Sequence, residues 1–379
     1  MRHIKIVCTI GPGSNSPEII EKMLLKGMNI ARLNLAYGSQ EEHANVVATI
    51  RRLGEKLQIP VAILLDLPGT KRSKDDVKTS FQNHFQFALS VEADFIALSF
   101  ISSLHELEQA CELAKEMNVG IPLIIKIERA QALEESTAML EMCDGMMVAR
   151  GDLALDISIE KVPIAQKRLI KEANRLGKPV ITATQMLESM VRSPSPTRAE
   201  ATDVANAVFD GTDAVMLSEE TAMGSYPVEA TEMMTKIIME AEPELPYDEI
   251  LREKWREILP ETNDATARAA CYMADQVNAS AIVAFTTGGT TALRVSKYRP
   301  RQPIVGVTPF ENVVRRMLIS WGIHPVQRSV PNGLEDVFEI ARQLVLEKGI
   351  AKSGDNIVVT AGLPLTVAGS TNLVKVHKV

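Results

Sequence analysis

At 379 residues, with 46% hydrophobic and 23% charged side chains, the chain is long enough for about two or three packed domains and has a globular rather than a disordered composition. Its formal net charge of −7 argues against a broad phosphate-backbone footprint, so nucleic acid is not an expected partner. Cys8, Cys111, Cys143 and Cys271 lack the close spacing of a zinc site or redox pair, no apolar run nears the roughly 20 residues that span a bilayer, and the start MRHIKIVCTIGPG breaks before a signal-peptide stretch can form, so a cytoplasmic, membrane-free protein is expected.

Short runs rich in Val, Ile, Leu and Ala recur in chain order, each followed by an amphipathic stretch, which is the rhythm of parallel strands covered by helices. They are Ile4 to Ile10, Asn29 to Leu33, Pro60 to Leu65, Phe95 to Ser99, Pro122 to Ile127, Gly145 to Ala149, Pro179 to Ala183 and Ala214 to Leu217. Eight strand-helix units within 1–240 fit a (β/α)8 barrel better than an open doubly wound sheet, which more often uses fewer strands. The acidic stretch from Glu240 to Asp248, broken by two prolines, reads as a linker at 241–248. A second α/β unit follows at 249–379, with strands at Ala281 to Phe285, Pro303 to Val307 and Asn356 to Thr360 and helices at Asp264 to Gln276 and Gly333 to Lys348. The expected fold class is α/β, a (β/α)8 TIM barrel followed by a smaller C-terminal α/β domain.

A barrel puts its site at the carboxyl ends of its strands, because the βα loops all open there. The polar residues at those ends are Thr9, Arg32, Asn34, Asp66, Ser99, Lys126, Glu128, Asp152 and Thr184. In the run IIKIE, Lys126 and Glu128 are two apart, so both enter one pocket. Asp152 follows the next strand in MVARGDL, where Gly151 lets the backbone approach a ligand. Glu128 and Asp152 together suit Mg²⁺ or Mn²⁺ with positions left for substrate oxygens. A lysine beside that metal would stabilise charge on an enolate or a transferring phosphoryl group, while a rim ion pair between Lys126 and Glu128 is the plainer reading. Arg32 and Arg150 either clamp an anion or are solvated or paired. Thr184 either relays a proton or binds a carboxylate, or only caps its turn.

The segments KIVCTIGP (5–12), GMNIARLN (27–34), AILLDLPG (62–69), KIE (126–128), DGMMVARGDL (144–153), GKPVITATQMLESM (177–190) and PTRAEATDVANAVFDGTDAVMLSEETA (196–222) resemble the pyruvate kinase family. The resemblance continues through SKYRP (296–300) and GSTNLVKVH (369–377). It implies that Lys126 stabilises the pyruvate enolate and the transferring phosphoryl group and that Glu128 and Asp152 bind the divalent metal. It further implies that Arg32 contacts phosphate, that Thr184 lies near the enolate carbon that is protonated, and that the backbone of Ala149, Arg150 and Gly151 meets the substrate carboxylate. Ser99 joins this substrate-binding set.

Three departures matter. The family inserts a β-rich lid between the third barrel strand and its helix, whereas here Asp66 runs into LPGTKRSKDDVKTSF with no room for a lid near 67–75. Asn34 and Asp66 match the monovalent-cation ligands, but Ala36 and Tyr37 stand where serine and histidine are usual, and Lys71 resembles the lysine that replaces K⁺ in some members. K⁺ is therefore not expected to be required. Ala154 and Glu219 replace glycines without removing a proposed ligand.

In the C-terminal domain Thr286, Thr287, Gly288, Gly289, Thr290 and Thr291 follow a strand and precede a helix, a layout that cradles phosphate or merely turns the chain. The family uses this loop with the segment GLPLTVAGST (362–371) for sugar-phosphate effectors. The expected activity is a glycolytic phosphotransfer from phosphoenolpyruvate to ADP in a homotetramer, reduced by the missing lid. A lidless metal-dependent pyruvate enolising enzyme and a non-catalytic sugar-phosphate or phosphoenolpyruvate sensor are the alternatives.

Overall fold

The computed structural model describes residues 1–379 apart from 70–73, 256–260 and 366–368, and apart from the side chains of 74–80 and 255. The chain divides into two compact units, residues 4–243 and residues 1–3 with 244–379.

The first unit is a closed eight-stranded parallel barrel in sequential order. Its strands are β1 (Lys5–Thr9), β2 (Ile30–Asn34), β3 (Ala62–Leu67), β4 (Phe95–Leu98), β5 (Leu123–Ile127), β6 (Gly145–Ala149), β7 (Val180–Ala183) and β8 (Ala214–Leu217). β8 pairs with β1 and closes the ring, with Lys5 opposite Ala214 and Cys8 opposite Leu217. The strands read as almost unbroken apolar runs because helices cover one face and the barrel interior fills the other. Ile63, Leu64, Leu65, Ile124 and Ile125 are all fully buried.

Register at the amino-terminal face rests on a repeated device. The residue just before each even-numbered strand, Asn29, Asp94, Asp144 or Asp213, accepts a backbone N–H from the preceding odd-numbered strand. The donors are Ile6 (3.0 Å), Ile63 (2.8 Å), Leu123 (2.8 Å) and Val180 (3.0 Å). Each bond satisfies a buried donor, worth about 1 kcal/mol net and more where the acceptor is charged. The amino-terminal end is thereby locked, and the carboxyl end is left to the site.

Helix entries are equally explicit. Ser39 and Glu42 form a reciprocal capping box at the helix Gln40–Leu57, and Thr197 and Glu200 form another at Arg198–Asp210. Among the described residues between β3 and β4, the one regular element is the helix Lys74–Ser90. All four cysteines are free.

The stretch read as a linker holds the 3-10 turn Glu242–Glu244 and the start of the helix Tyr247–Trp255. Beyond it, the second unit has a five-stranded sheet in the order β11-β10-β9-β12-β13. Its strands are β9 (Ile282–Phe285), β10 (Ile304–Thr308), β11 (Ile323–Gln327), β12 (Asn356–Gly362) and β13 (Thr371–Lys378). Only β13 runs antiparallel, against β12.

Alternate residues build two cores. Ile282, Ala284 and Ile304 enter one, while Val283, Phe285, Val305 and Val307 enter the other. Sequence reading missed β11, whose IHPVQ interrupts the apolar run, and β13, whose TNLVKVHK leaves most side chains partly or fully exposed. The first residues of the chain also belong to this unit. The His3 ring stacks on Trp321 with centroids 4.2 Å apart, and Gly322 N–H donates to the His3 carbonyl at 2.9 Å. Among the described residues no helix is long and apolar enough to cross a membrane.

Candidate functional site

β5 is apolar except for Lys126, which the barrel holds 7% exposed at the strand's carboxyl end. A buried ammonium needs partners, and neighbouring strands supply them. Lys126 Nζ lies 3.2 Å from Asp66 Oδ2 and 2.8 Å from Glu128 Oε1, and it donates to Ser99 Oγ at 2.8 Å. Ser99 in turn donates to Asp66 Oδ1 at 2.6 Å. Arg32 closes the cluster from β2, with Nε donating to Asp66 Oδ2 at 2.7 Å and Nη1 to Thr9 Oγ1 at 2.8 Å. Thr9 passes the chain on to the Leu217 carbonyl at 2.9 Å. Thr9, Arg32, Asp66, Ser99, Lys126 and Glu128 are thus brought together.

Two cations face two anions here, so the buried cluster is neutral. Burial alone would raise the Asp66 pKa, but Arg32 and Lys126 outweigh it and hold the carboxyl below its ordinary range. Burial would lower Lys126, but Asp66 and Glu128 outweigh it and keep the ammonium protonated. For Glu128 burial prevails over Lys126, and its pKa rises. Its Oε2 accepts the Phe100 N–H at 2.6 Å. Its Oε1, though paired with Lys126, is buried without a well-directed hydrogen bond.

Asp152 stands on the next strand's loop, in the first turn of the helix Arg150–Asp156, half-buried and without a hydrogen-bond or ion-pair partner among the described residues. Glu128 and the uncommitted Asp152 carry carboxylate oxygens of the kind hard divalent cations take. Among the described residues no cluster of three or more His, Cys, Asp or Glu could hold a metal. The remaining ligands would therefore be substrate and water oxygens.

The turn after β7 is built differently. Thr184 and Gln185 both adopt left-handed backbone, with φ of 67° and 54°. The Thr184 hydroxyl donates to the Ala183 carbonyl and accepts from Gly151 N–H, both at 2.7 Å. A Cβ at Gly151 would lie 3.4 Å from Thr184 Oγ1, so this glycine packs against the turn. Of the two readings for Arg150, pairing is what is found. Its guanidinium meets Asp203 at 2.7 Å and the Thr184 carbonyl at 2.6 Å.

Glu220 was not singled out from sequence. Its buried carboxylate accepts Leu187 N–H at 3.0 Å and Ser218 N–H at 2.6 Å, tying the β7 and β8 loops together. Burial raises its pKa against those donors. Asp203 was missed too, because it lies mid-helix and only the fold carries Arg150 to it. Asn34 Oδ1 accepts its own loop's Ala36 N–H at 3.1 Å. Tyr37 is exposed. Lys71 lies outside the described residues.

In the second unit an open cleft lies at the carboxyl ends of β9, β10 and β12. There the strand order reverses direction, the place where open α/β sheets bind ligands. Thr286, Thr287 and Thr291 line it together with Gly362, Gly369 and Ser370, so the two segments paired on sequence do meet. Thr286 Oγ1 accepts Gly289 N–H at 2.9 Å, and Gly289 takes the positive φ of 90° that starts the helix Thr290–Lys297. Gly288, Gly289 and Thr290 are not among the lining residues, whereas Arg328 is.

Two family models match the chain. One described as pyruvate kinase, barrel domain, covers residues 1–83 and 67–231, and one described as pyruvate kinase, alpha/beta domain, covers 264–377. Curated pyruvate kinases of Staphylococcus aureus strains USA300, NCTC 8325 / PS 47 and COL are each 35% identical over 472 aligned positions, spanning 100% of this chain and 81% of theirs. With 379 residues here against 472 positions, 93 positions of the alignment have no residue in this chain. The barrel match comes in two segments that overlap at 67–83, the stretch that follows β3. The chain therefore belongs to the pyruvate kinase family and lacks the family's lid domain.

Proposed function

We propose that this chain is a pyruvate kinase-type phosphotransferase, converting phosphoenolpyruvate and ADP to pyruvate and ATP, in which phosphoryl transfer is slowed by the absence of a lid. The observation that carries the reading is the buried Lys126 ammonium, set between Asp66 and Glu128 and kept protonated by them.

In this reading Lys126 stabilises the negative charge that gathers on the enolate oxygen and on the phosphoryl group in transit. Asp66 and Ser99 hold the lysine in place, and Arg32, which braces Asp66, reaches the phosphate. Glu128 and Asp152 would hold Mg²⁺ or Mn²⁺, which when bound neutralises charge on substrate oxygens. The substrate carboxylate is received by the backbone at Ala149, Arg150 and Gly151. The Gly151 N–H now occupied by Thr184 must then be shared or given up. Giving it up releases the Thr184 hydroxyl, which can turn toward the enolate carbon and carry the proton that completes pyruvate.

Closing a lid excludes water and holds the nucleotide, so its loss weighs on phosphoryl transfer more than on binding or enolisation of the small acid. Metal-dependent enolisation of pyruvate is thus the second reading, favoured by the absence of the lid domain. Lys71 stands in for K⁺, and K⁺ is not required. The threonine-lined cleft of the second unit takes a sugar phosphate as effector. The assembly is a homotetramer in the cytoplasm.

Two assays on the intact chain test the reading. Turnover of phosphoenolpyruvate and ADP with Mg²⁺ or Mn²⁺ is compared with solvent deuterium exchange into the pyruvate methyl group. Exchange that outruns phosphoryl transfer, with both lost in Lys126→Ala, supports the proposal. Ordinary pyruvate kinase turnover would overturn the slowed-transfer part, and an unchanged Lys126→Ala protein would favour a sensor. Rates that require K⁺ over Na⁺ at equal ionic strength would refute potassium independence.

A further inference from the structure

We propose that Arg150 is a positioning residue for Thr184, its guanidinium serving as a clamp on the strained turn after β7 rather than as an anion-binding group. The role of Thr184 rests on the reading above; the clamp itself rests on geometry alone.

The turn needs fastening. Thr184 and Gln185 are consecutive non-glycine residues at φ of 67° and 54°. Left-handed backbone is disfavoured for side chains with a Cβ, most of all β-branched ones, and persists only where the surroundings over-determine it.

Arg150 supplies that restraint through three successive carbonyls. Nε donates to the Ala183 carbonyl at 3.2 Å and the Thr184 carbonyl at 3.3 Å, and Nη2 donates to Thr184 at 2.6 Å and Gln185 at 3.3 Å. Nη2 also lies 2.8 Å from Met186 Sδ. A planar, permanently charged fork can reach all of these at once, which a point charge on a flexible stem cannot.

The opposite edge of the guanidinium is anchored. Nη1 donates to Asp203 Oδ1 at 2.7 Å and to Gln166 Oε1 at 3.3 Å. Arg150 is only 9% exposed, so its charge is already met and its donors are spent. The next residue completes the grip, since Gly151 N–H donates to Thr184 Oγ1 at 2.7 Å. Residues 150 and 151 therefore hold Thr184 by its carbonyl and by its hydroxyl. Glu220 fixes the far end of the turn at Leu187 N–H.

The test uses Arg150→Ala and Arg150→Lys in the full chain with Mg²⁺. Misplacing a reacting group by about 1 Å costs on the order of 100-fold, so Arg150→Ala should lower kcat and pyruvate methyl exchange by about that factor. KM for phosphoenolpyruvate should stay within about 3-fold, and Arg150→Lys should recover part of the rate. Independently of turnover, amide hydrogen exchange should accelerate at least about tenfold in peptides spanning 149–152 and 183–187.

A raised KM at unchanged kcat would mean that Arg150 binds an anion and would overturn the proposal. Unchanged amide protection of 183–187 would overturn it as well. If the unmodified chain shows neither turnover nor exchange, the functional reading fails alone and amide protection still decides the clamp. Should Arg150→Ala fail to fold by far-ultraviolet circular dichroism, Arg150→Gln, which keeps one amide NH2 group, carries the same measurements.

Discussion

Arg32 and Arg150 both stand at strand ends of one barrel and are 8% and 9% exposed, yet they belong to two differently built halves of its mouth. On the β1 to β5 side, charge answers charge: Arg32 and Lys126 share Asp66, and Lys126 also meets Glu128. On the β6 to β8 side, charge answers backbone as well as charge: Arg150, anchored on Asp203, holds carbonyls of the loop carrying Thr184, and Glu220 holds that loop's Leu187 N–H. The first half keeps formal charge where a charged substrate would meet it. The second uses charge to hold an uncharged hydroxyl in a strained place. The residue type is the same, and the partner decides its work.

That contrast can be broken from the charged side first. Lys126→Ala leaves Asp66 and Glu128 without their shared cation and removes the group proposed to stabilise the enolate. The expected loss in kcat for phosphoenolpyruvate turnover, or in methyl exchange, is about 1,000-fold, the scale of losing one such donor. A residual rate within about tenfold of the parent would make the cluster a structural ion pair.

Arg32→Met tests stability on the same side. It strips the guanidinium from a carboxylate that is 1% exposed, and breaking a buried pair in this way costs about 3–5 kcal/mol. Urea unfolding measures it. A loss below about 1 kcal/mol would mean that Lys126 alone satisfies Asp66.

The backbone-holding side should respond more mildly. Glu220→Gln keeps the shape but turns one acceptor oxygen into a donor facing an N–H, so a loss of about 1–3 kcal/mol is expected. The smallest effect is expected at Glu200, where burial is outweighed by donors from Ser189 and Thr197 that lower its pKa from 4.5. A lowered carboxylate stabilises the fold above its unfolded value and loses that contribution as pH falls through its folded one. Glu200→Gln should therefore lower the urea midpoint only slightly at pH 7, because solvent screens this largely exposed group, and by progressively less as pH falls through the carboxylate range. A urea midpoint difference that is independent of pH would refute this account. Glu220 has the opposite sign: its raised value means that ionising it as pH rises weakens the folded state.

Much of the barrel was legible because its signals are local. Eight apolar runs in the right rhythm mark the strands, and the two-residue spacing of Lys126 and Glu128 aims both at one pocket. The second unit was less so, since β11 carries a proline and β13 is an edge strand with no continuous apolar face. The strand-start device of Asn29, Asp94, Asp144 and Asp213 had a visible trace, an Asn or Asp just before an apolar run, but its meaning lies in the neighbouring strand. Asp203 and Glu220 had none, because Arg150 and Leu187, the partners that give them their roles, lie 53 and 33 residues away.

The amino-acid order by itself determined the fold class, the family, the missing lid and the set of polar residues that the barrel carries to its open face, because periodicity and motif order are properties of the chain. Only the tertiary structure decided that Arg32 guards a carboxylate while Arg150 clamps a turn, that Thr184 is already bonded to Gly151, and that Asp152 alone among the proposed metal ligands is uncommitted among the described residues. A side chain's partner is set by which strands the closed sheet makes neighbours, and that adjacency is written nowhere along the chain.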